Sequence, residues 1–131
     1  MTKKVKTILI VDDDVDFVES NKDLFETQGY RVLSAATGAA GLALAKQERP
    51  DLMILDVMMA TETEGFEISR QIPEQPELKT MRVLLVTGIR KAMSLPFEFQ
   101  PDQTWLPVNE VLEKPVPPQK LLDKVATLLG T

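Results

Sequence analysis

The chain has 131 residues, 44% of them hydrophobic and 27% charged, with a formal net charge of −5. These values fit one globular domain with its own core, and the acidic balance speaks against nucleic acid as a direct partner. Cys and His are both absent, which excludes disulfides, thiolate chemistry, Cys/His zinc sites and histidine acid–base catalysis, and restricts any metal to a hard ion held by oxygen.

Met1-Thr2-Lys3-Lys4-Val5-Lys6 leads straight into a strand without a signal-peptide core. No apolar run approaches the roughly 18 residues of a membrane span, so a cytoplasmic location is expected. Thr7 to Val11 is continuously apolar and β-branched, the pattern of a strand buried on both faces. It ends in Asp12-Asp13-Asp14. A helical stripe of Val15, Phe17, Val18, Asn21, Leu24 and Phe25 follows, running from Val15 to Gln28. One of the three aspartates can cap it, and Gly29 stops it as a left-handed residue.

Tyr30 to Ala36 reads as a second strand, and Thr37 starts a helix over Gly38 to Gln47. The small residues Ala39, Ala40, Gly41, Ala43 and Ala45 allow that helix to pack closely on a sheet, and Glu48-Arg49-Pro50 ends it. Asp51 to Met59 is another buried strand, interrupted by one carboxylate, Asp56. An ionisable group there costs free energy unless compensated, and its plain reading is a cap for the next turn. Glu64 to Ile72 forms a short amphipathic helix bounded by Pro73 and Pro76. Met81 to Val86 is the fourth strand, ending at Thr87-Gly88. Val108 to Glu113 is the fifth, ending at Lys114-Pro115. Pro117-Pro118 opens a last helix, Gln119 to Leu129, with Leu121, Leu122, Val125, Leu128 and Leu129 on its apolar face. Between the fourth and fifth strands, Ile89 to Pro107 holds three prolines and poor periodicity, so the fourth helix region is expected to be irregular.

Five strand–helix alternations predict a doubly wound, five-stranded parallel α/β sheet with right-handed crossovers. In such sheets chemistry sits beyond the carboxyl ends of the strands. Asp12 and Asp13, Asp56, Thr87 and Lys114 all fall at that edge, from strands one, three, four and five. Each has a dull reading as cap, turn residue or surface lysine, but their convergence is not expected by chance. Three carboxylates gathered there repel one another. A divalent cation relieves the repulsion, and a small all-oxygen cluster suits Mg²⁺ with retained waters.

Ile8 to Asp14, Pro50 to Met59, Val86-Thr87-Gly88 and Glu113-Lys114-Pro115-Val116 together resemble the receiver domain of two-component response regulators. The resemblance spans Thr7 to Leu129 of a single domain, residues 1–131. It implies the flavodoxin-like strand order 2-1-3-4-5 of chemotaxis receivers. It also implies that Asp56 is the phosphoacceptor, attacking a phosphohistidine to form an acyl phosphate. Asp12, Asp13, Asp56 and the Met58 backbone carbonyl would hold Mg²⁺. Thr87 would be the switch hydroxyl, and Lys114, turned inward by a cis bond to Pro115, would contact the phosphoryl group.

The sequence departs from the family pattern at several points. Ala60 replaces a frequent proline, and the acidic loop Ala60 to Glu64 is longer than usual. Val111 stands where the family carries an inward-rotating aromatic, a role for which Trp105 and Phe99 are the other candidates. Met58 and Ile89 occupy the positions that in the family help to place hydrolytic water, and both are apolar, so slow autodephosphorylation is expected.

The resemblance implies a sensor histidine kinase or phosphotransfer protein as donor, docking on the first helix near Phe17, Val18 and Asn21, although Phe17 and Val18 can equally be core. A homodimer is compatible with it. The chain stops one helix after Lys114-Pro115, so a stand-alone phosphoacceptor without a DNA-binding module is expected, turning over no substrate but its own phosphate. The competing reading is a receiver-fold interaction scaffold that is never phosphorylated. An aspartyl-phosphate phosphatase would need an acid where Met58 stands, and a nucleotide-binding domain would need a Gly-rich loop after the first strand.

Overall fold

Continuous aliphatic runs flanked by polar turns form strands here because both faces of each run find apolar cover. In β1 (Thr7–Val11) and β3 (Leu52–Asp56) every residue is buried, as a parallel sheet covered on both faces requires. The computed structural model describes residues 5–56, 72, 75–78, 80–87, 110–113 and 116–130. Within these, β1 is followed by α1 (Val15–Thr27), β2 (Arg31–Ala35), α2 (Gly38–Glu48), β3, a 3-10 turn (Pro76–Leu78), β4 (Arg82–Thr87), β5 (Glu110–Glu113) and α3 (Pro118–Leu129). The sheet runs β2-β1-β3-β4-β5, and every pairing is parallel.

Alternation along each strand divides the apolar side chains between two faces. Leu9, Val11, Met53, Leu55, Val83 and Leu85 pack with Ala45 of α2 and with Ile72, Leu78 and Met81. Ile8, Ile10, Ile54, Leu84 and Val86 pack with Val18 and Phe25 of α1 and Leu121 and Val125 of α3. The fully buried Phe25 anchors this second face, and its ring meets Tyr30 edge-on at 6.2 Å.

Several element ends differ from the sequence expectation, each for a local reason. Tyr30 N donates to Phe25 O at 3.2 Å and so closes α1, whereas the ladder begins at Arg31, whose N donates to Lys6 O at 2.9 Å; β2 is therefore shorter than Tyr30 to Ala36. Gly29 takes φ +91, the left-handed value expected of it. α2 continues to Glu48, one residue beyond Gln47, and Arg49 caps it at φ 49 with its N donating to Ala45 O at 2.8 Å. Pro50 bars Arg49 from the helix, and the left-handed turn redirects the chain into β3. Met81 N donates to Leu78 O, just beyond the 3-10 turn, so β4 starts at Arg82 and runs through Thr87. α3 includes Pro118, because a proline ring suits the first helical position, and Gly130 ends it at φ 70. β5 is described from Glu110; the remainder of the expected strand from Val108, most of the short helix Glu64 to Ile72, and the segment Ile89 to Pro107 lie outside the described residues. No helix among the described residues is long and apolar enough to cross a membrane.

α2 lies unusually close to β1. A Cβ built on Gly41 would sit 2.6 Å from Val11 Cγ2 and 2.8 Å from Cγ1. The absent side chain lets the helix rest directly on the residue that precedes Asp12.

Candidate functional site

The register of the sheet carries the carboxylates to one place. Val11 pairs with Leu55, so the next residues, Asp12 and Asp56, leave neighbouring strands side by side, about 4.8 Å apart as adjacent strands are. Asp56 pairs with Val86, one residue before Thr87, and Thr87 pairs with Glu113, one residue before Lys114. Asp12 and Asp56 are thus level with each other, and Thr87 lies one step further along the sheet.

Asp12, Asp13 and Asp56 each offer a carboxylate oxygen within 4.8 Å of the others. Asp12 and Asp56 are buried, at 3% and 4% exposure, while Asp13 is exposed. The cluster therefore has a dry floor and an open mouth. Asp12 is fixed at two points: its backbone N donates to Ala35 O at 3.0 Å, and its Oδ1 accepts from Asp14 N at 2.9 Å. Asp14 then caps α1, its Oδ1 accepting from Phe17 N at 3.2 Å, so Asp14 is the one of the three aspartates that caps. The positive end of α1 is placed beside the acids. The Asp14 N–H on Asp12 is a positioning contact that the sequence reading did not isolate. Its signal is the Asp-x-Asp spacing, which favours a side chain bonding to the backbone two residues on.

An oxygen-only trio of this size, two groups buried and one exposed, fits a small hard cation that keeps part of its water shell. Thr87 is the last residue of β4; Lys114 and Met58 lie outside the described residues, as do Ile89, Phe99 and Trp105. Of the α1 residues named as a docking patch, Val18 and Asn21 are buried and Phe17 half-buried. Asn21 is satisfied within the helix, its Nδ2 donating to Phe17 O at 2.7 Å. Val15, at 70% exposure, is the open apolar residue of that helix.

The family model of the response regulator receiver domain matches residues 8–126. Protein PilH of Pseudomonas aeruginosa is 31% identical over 126 residues, covering 94% of this chain and 97% of its own. The crystal structure of a CheY-like receiver domain protein from Methanospirillum hungatei aligns with a TM-score of 0.78 at 30% identity, covering 97% of this chain and 95% of its own. The receiver domain of a Pseudomonas aeruginosa sensor histidine kinase shares the fold at a TM-score of 0.79 and 21% identity, over 98% of this chain and all of its own. That protein has a magnesium ion coordinated in its active-site cleft.

Proposed function

We propose that this chain, which belongs to the response regulator receiver domain family, is a phosphoacceptor that takes a phosphoryl group from a histidine kinase or phosphotransfer protein onto Asp56. The observation that carries this reading is the approach of the Asp12, Asp13 and Asp56 carboxylates to within 4.8 Å at the carboxyl edge of the sheet. That edge is where doubly wound sheets hold their chemistry.

An Asp56 oxygen attacks the phosphorus of a phosphohistidine. The P–N bond breaks, the imidazole leaves, and an acyl phosphate remains. The incoming group is anionic, so its approach to three carboxylates is opposed by charge. Mg²⁺, when bound, neutralises that charge and aligns the phosphoryl oxygens. Asp12, Asp13 and Asp56, with the Met58 backbone carbonyl, are the groups that would hold it. Burial of Asp56 excludes water from its lower side, and the Asp14 N–H keeps Asp12 turned toward the cluster. Lys114 contacts a phosphoryl oxygen as a point charge, and Thr87 donates its hydroxyl to another, drawing its loop inward as the switch. The protein turns over no other substrate. Its acyl phosphate is long-lived because Met58 and Ile89 offer hydrolytic water no polar partner. The whole of residues 1–131 is one receiver domain, working in the cytoplasm.

The test is intact mass after incubation with acetyl phosphate, with and without Mg²⁺, on the parent and on Asp56→Asn. One phosphoryl group gained only with both Mg²⁺ and Asp56 is expected. No gain on the parent would refute the reading and favour an unphosphorylated interaction scaffold.

A further inference from the structure

The amino edge of the sheet, opposite the acid cluster, carries a row of basic residues. Arg31 N donates to Lys6 O at 2.9 Å, Asp51 N to Thr7 O at 2.8 Å and Arg82 N to Asp51 O at 3.0 Å. These bonds stitch the starts of β2, β1, β3 and β4 together, so Arg31, Lys6 and Arg82 share one edge, which spans about 14 Å at the usual strand spacing. Arg49 stands in the left-handed turn just before Pro50 and Asp51. Arg31, Arg49 and Arg82 are exposed and Lys6 is half-buried. The acids nearby are Glu48, paired with Arg31 at 2.7 Å, Asp51, whose Oδ2 accepts from Thr7 N at 2.8 Å, and Glu26 in the last turn of α1. Among the described residues, no carboxylate pairs with Arg49 or Arg82.

The carboxyl edge is its opposite in charge. Asp13, Asp14 and Asp16 are exposed there, around the buried Asp12 and Asp56. The five residues of β3 hold the two edges roughly 17 Å apart, so the basic row of one molecule cannot reach its own acid mouth. We propose that the amino edge docks on the acid mouth of a second copy of this chain, so that molecules associate end to end when no divalent cation fills the mouth. The occupant follows from charge complementarity between the two ends. A guanidinium is a flat, always charged fork of donors that matches a carboxylate, and Arg49 and Arg82 present two of them. At a net charge of −5 whole molecules repel, so the association is weak and depends on the ends meeting. Such a contact joins two different surfaces and leaves one of each free, so it extends into short chains instead of closing as a symmetric pair. Mg²⁺ and the basic edge compete for the same carboxylates. The inference needs the carboxylate cluster and not phosphotransfer, so it stands or falls separately from the phosphoacceptor reading.

The test is sedimentation equilibrium of the full chain in EDTA across a concentration series. At about 10 mM salt, where the Debye length is about 30 Å, the weight-average mass of the parent is expected to rise with concentration past that of a dimer. The association constant is expected to fall at least about tenfold in about 1 M NaCl, where the Debye length is about 3 Å, and to fall likewise in Mg²⁺ at matched ionic strength. Two variants separate the ends. Arg49→Glu with Arg82→Glu breaks the basic edge and keeps the mouth, and Asp13→Lys breaks the mouth and keeps the edge. Each alone is expected to stay monomeric, and an equal mixture is expected to form dimers and nothing larger. If the double reversal does not fold, Arg49→Gln with Arg82→Gln takes its place. A parent that is monomeric in EDTA at low salt overturns the proposal, as does one that stops at a dimer. Association that ignores Mg²⁺, a variant that associates alone as the parent does, or a mixture that stays monomeric overturns it equally.

Discussion

Replacing Asp13 by asparagine is expected to stabilise the folded protein when divalent cations are absent and to leave it the less stable form when they are present. Asp13 is the exposed member of the trio, with a carboxylate oxygen within 4.8 Å of both Asp12 and Asp56. Two unit charges at that distance repel by about 1 kcal/mol in water-like surroundings, more where solvent is excluded. Exposure puts Asp13 near the lower end, so two neighbours give about 1–2 kcal/mol. Asparagine removes the charge, keeps the shape and opens no cavity. In EDTA the variant is expected to melt about 3–6 °C above the parent. Mg²⁺ reverses the order. The parent gains about 2.7 kcal/mol at a hundred times its dissociation constant, and the variant, short of one carboxylate, gains less at the same concentration. The assay is thermal unfolding by circular dichroism across a Mg²⁺ titration, in which the two curves must cross. A variant less stable than the parent in EDTA would refute the repulsion argument. Equal gains from Mg²⁺ would refute a role for Asp13 in holding it.

Phe25→Ala is expected to cost about 3–5 kcal/mol in urea unfolding and Phe25→Leu about 1 kcal/mol, because the ring is fully buried and its site cannot collapse; similar values for the two would show that the Tyr30 face closes over the gap. Gly41→Val is expected to cost about 2–3 kcal/mol, since branched carbons would be driven into Val11. Pairing it with Val11→Ala should return part of that loss, and strict additivity of the two changes would dismiss the contact. Met58→Asn is expected to speed loss of phosphate several-fold by giving water a polar partner near the acyl phosphate, measured as the decay of phosphorylated mass after acetyl phosphate is removed. An unchanged half-life would dissociate Met58 from hydrolysis.

β1 and β3 were legible in the sequence because strands covered on both faces are near-continuous aliphatic runs, with polar residues only at their ends. The carboxylate cluster was legible for a related reason. An aspartate after such a run must lie at the carboxyl edge, and parallel strands bring those edges together. The left-handed Arg49 had no signal, since glycine normally marks that conformation and only the proline after it forces the turn. Which of Asp12, Asp13 and Asp14 caps α1 could not be read from three adjacent residues of equal capping ability. Asn21 read as part of the helical stripe and of the docking patch; it is buried, with its amide satisfied within its own helix.

Asp56 is tethered to the middle strand of the sheet, with β1 on one side and β4 on the other. Amide hydrogens of Met53, Ile54 and Leu55 should therefore exchange with solvent only when the whole protein opens, while those of the edge strand β2 exchange through local fraying. The proposed phosphoacceptor is thus rooted in the central strand of the sheet. On the phosphoacceptor proposal, a signal written there would not travel by moving the strand that receives it. It has to be relayed by whatever closes around the new charge, which leaves the receiving strand as the fixed reference against which the rest of the surface is displaced.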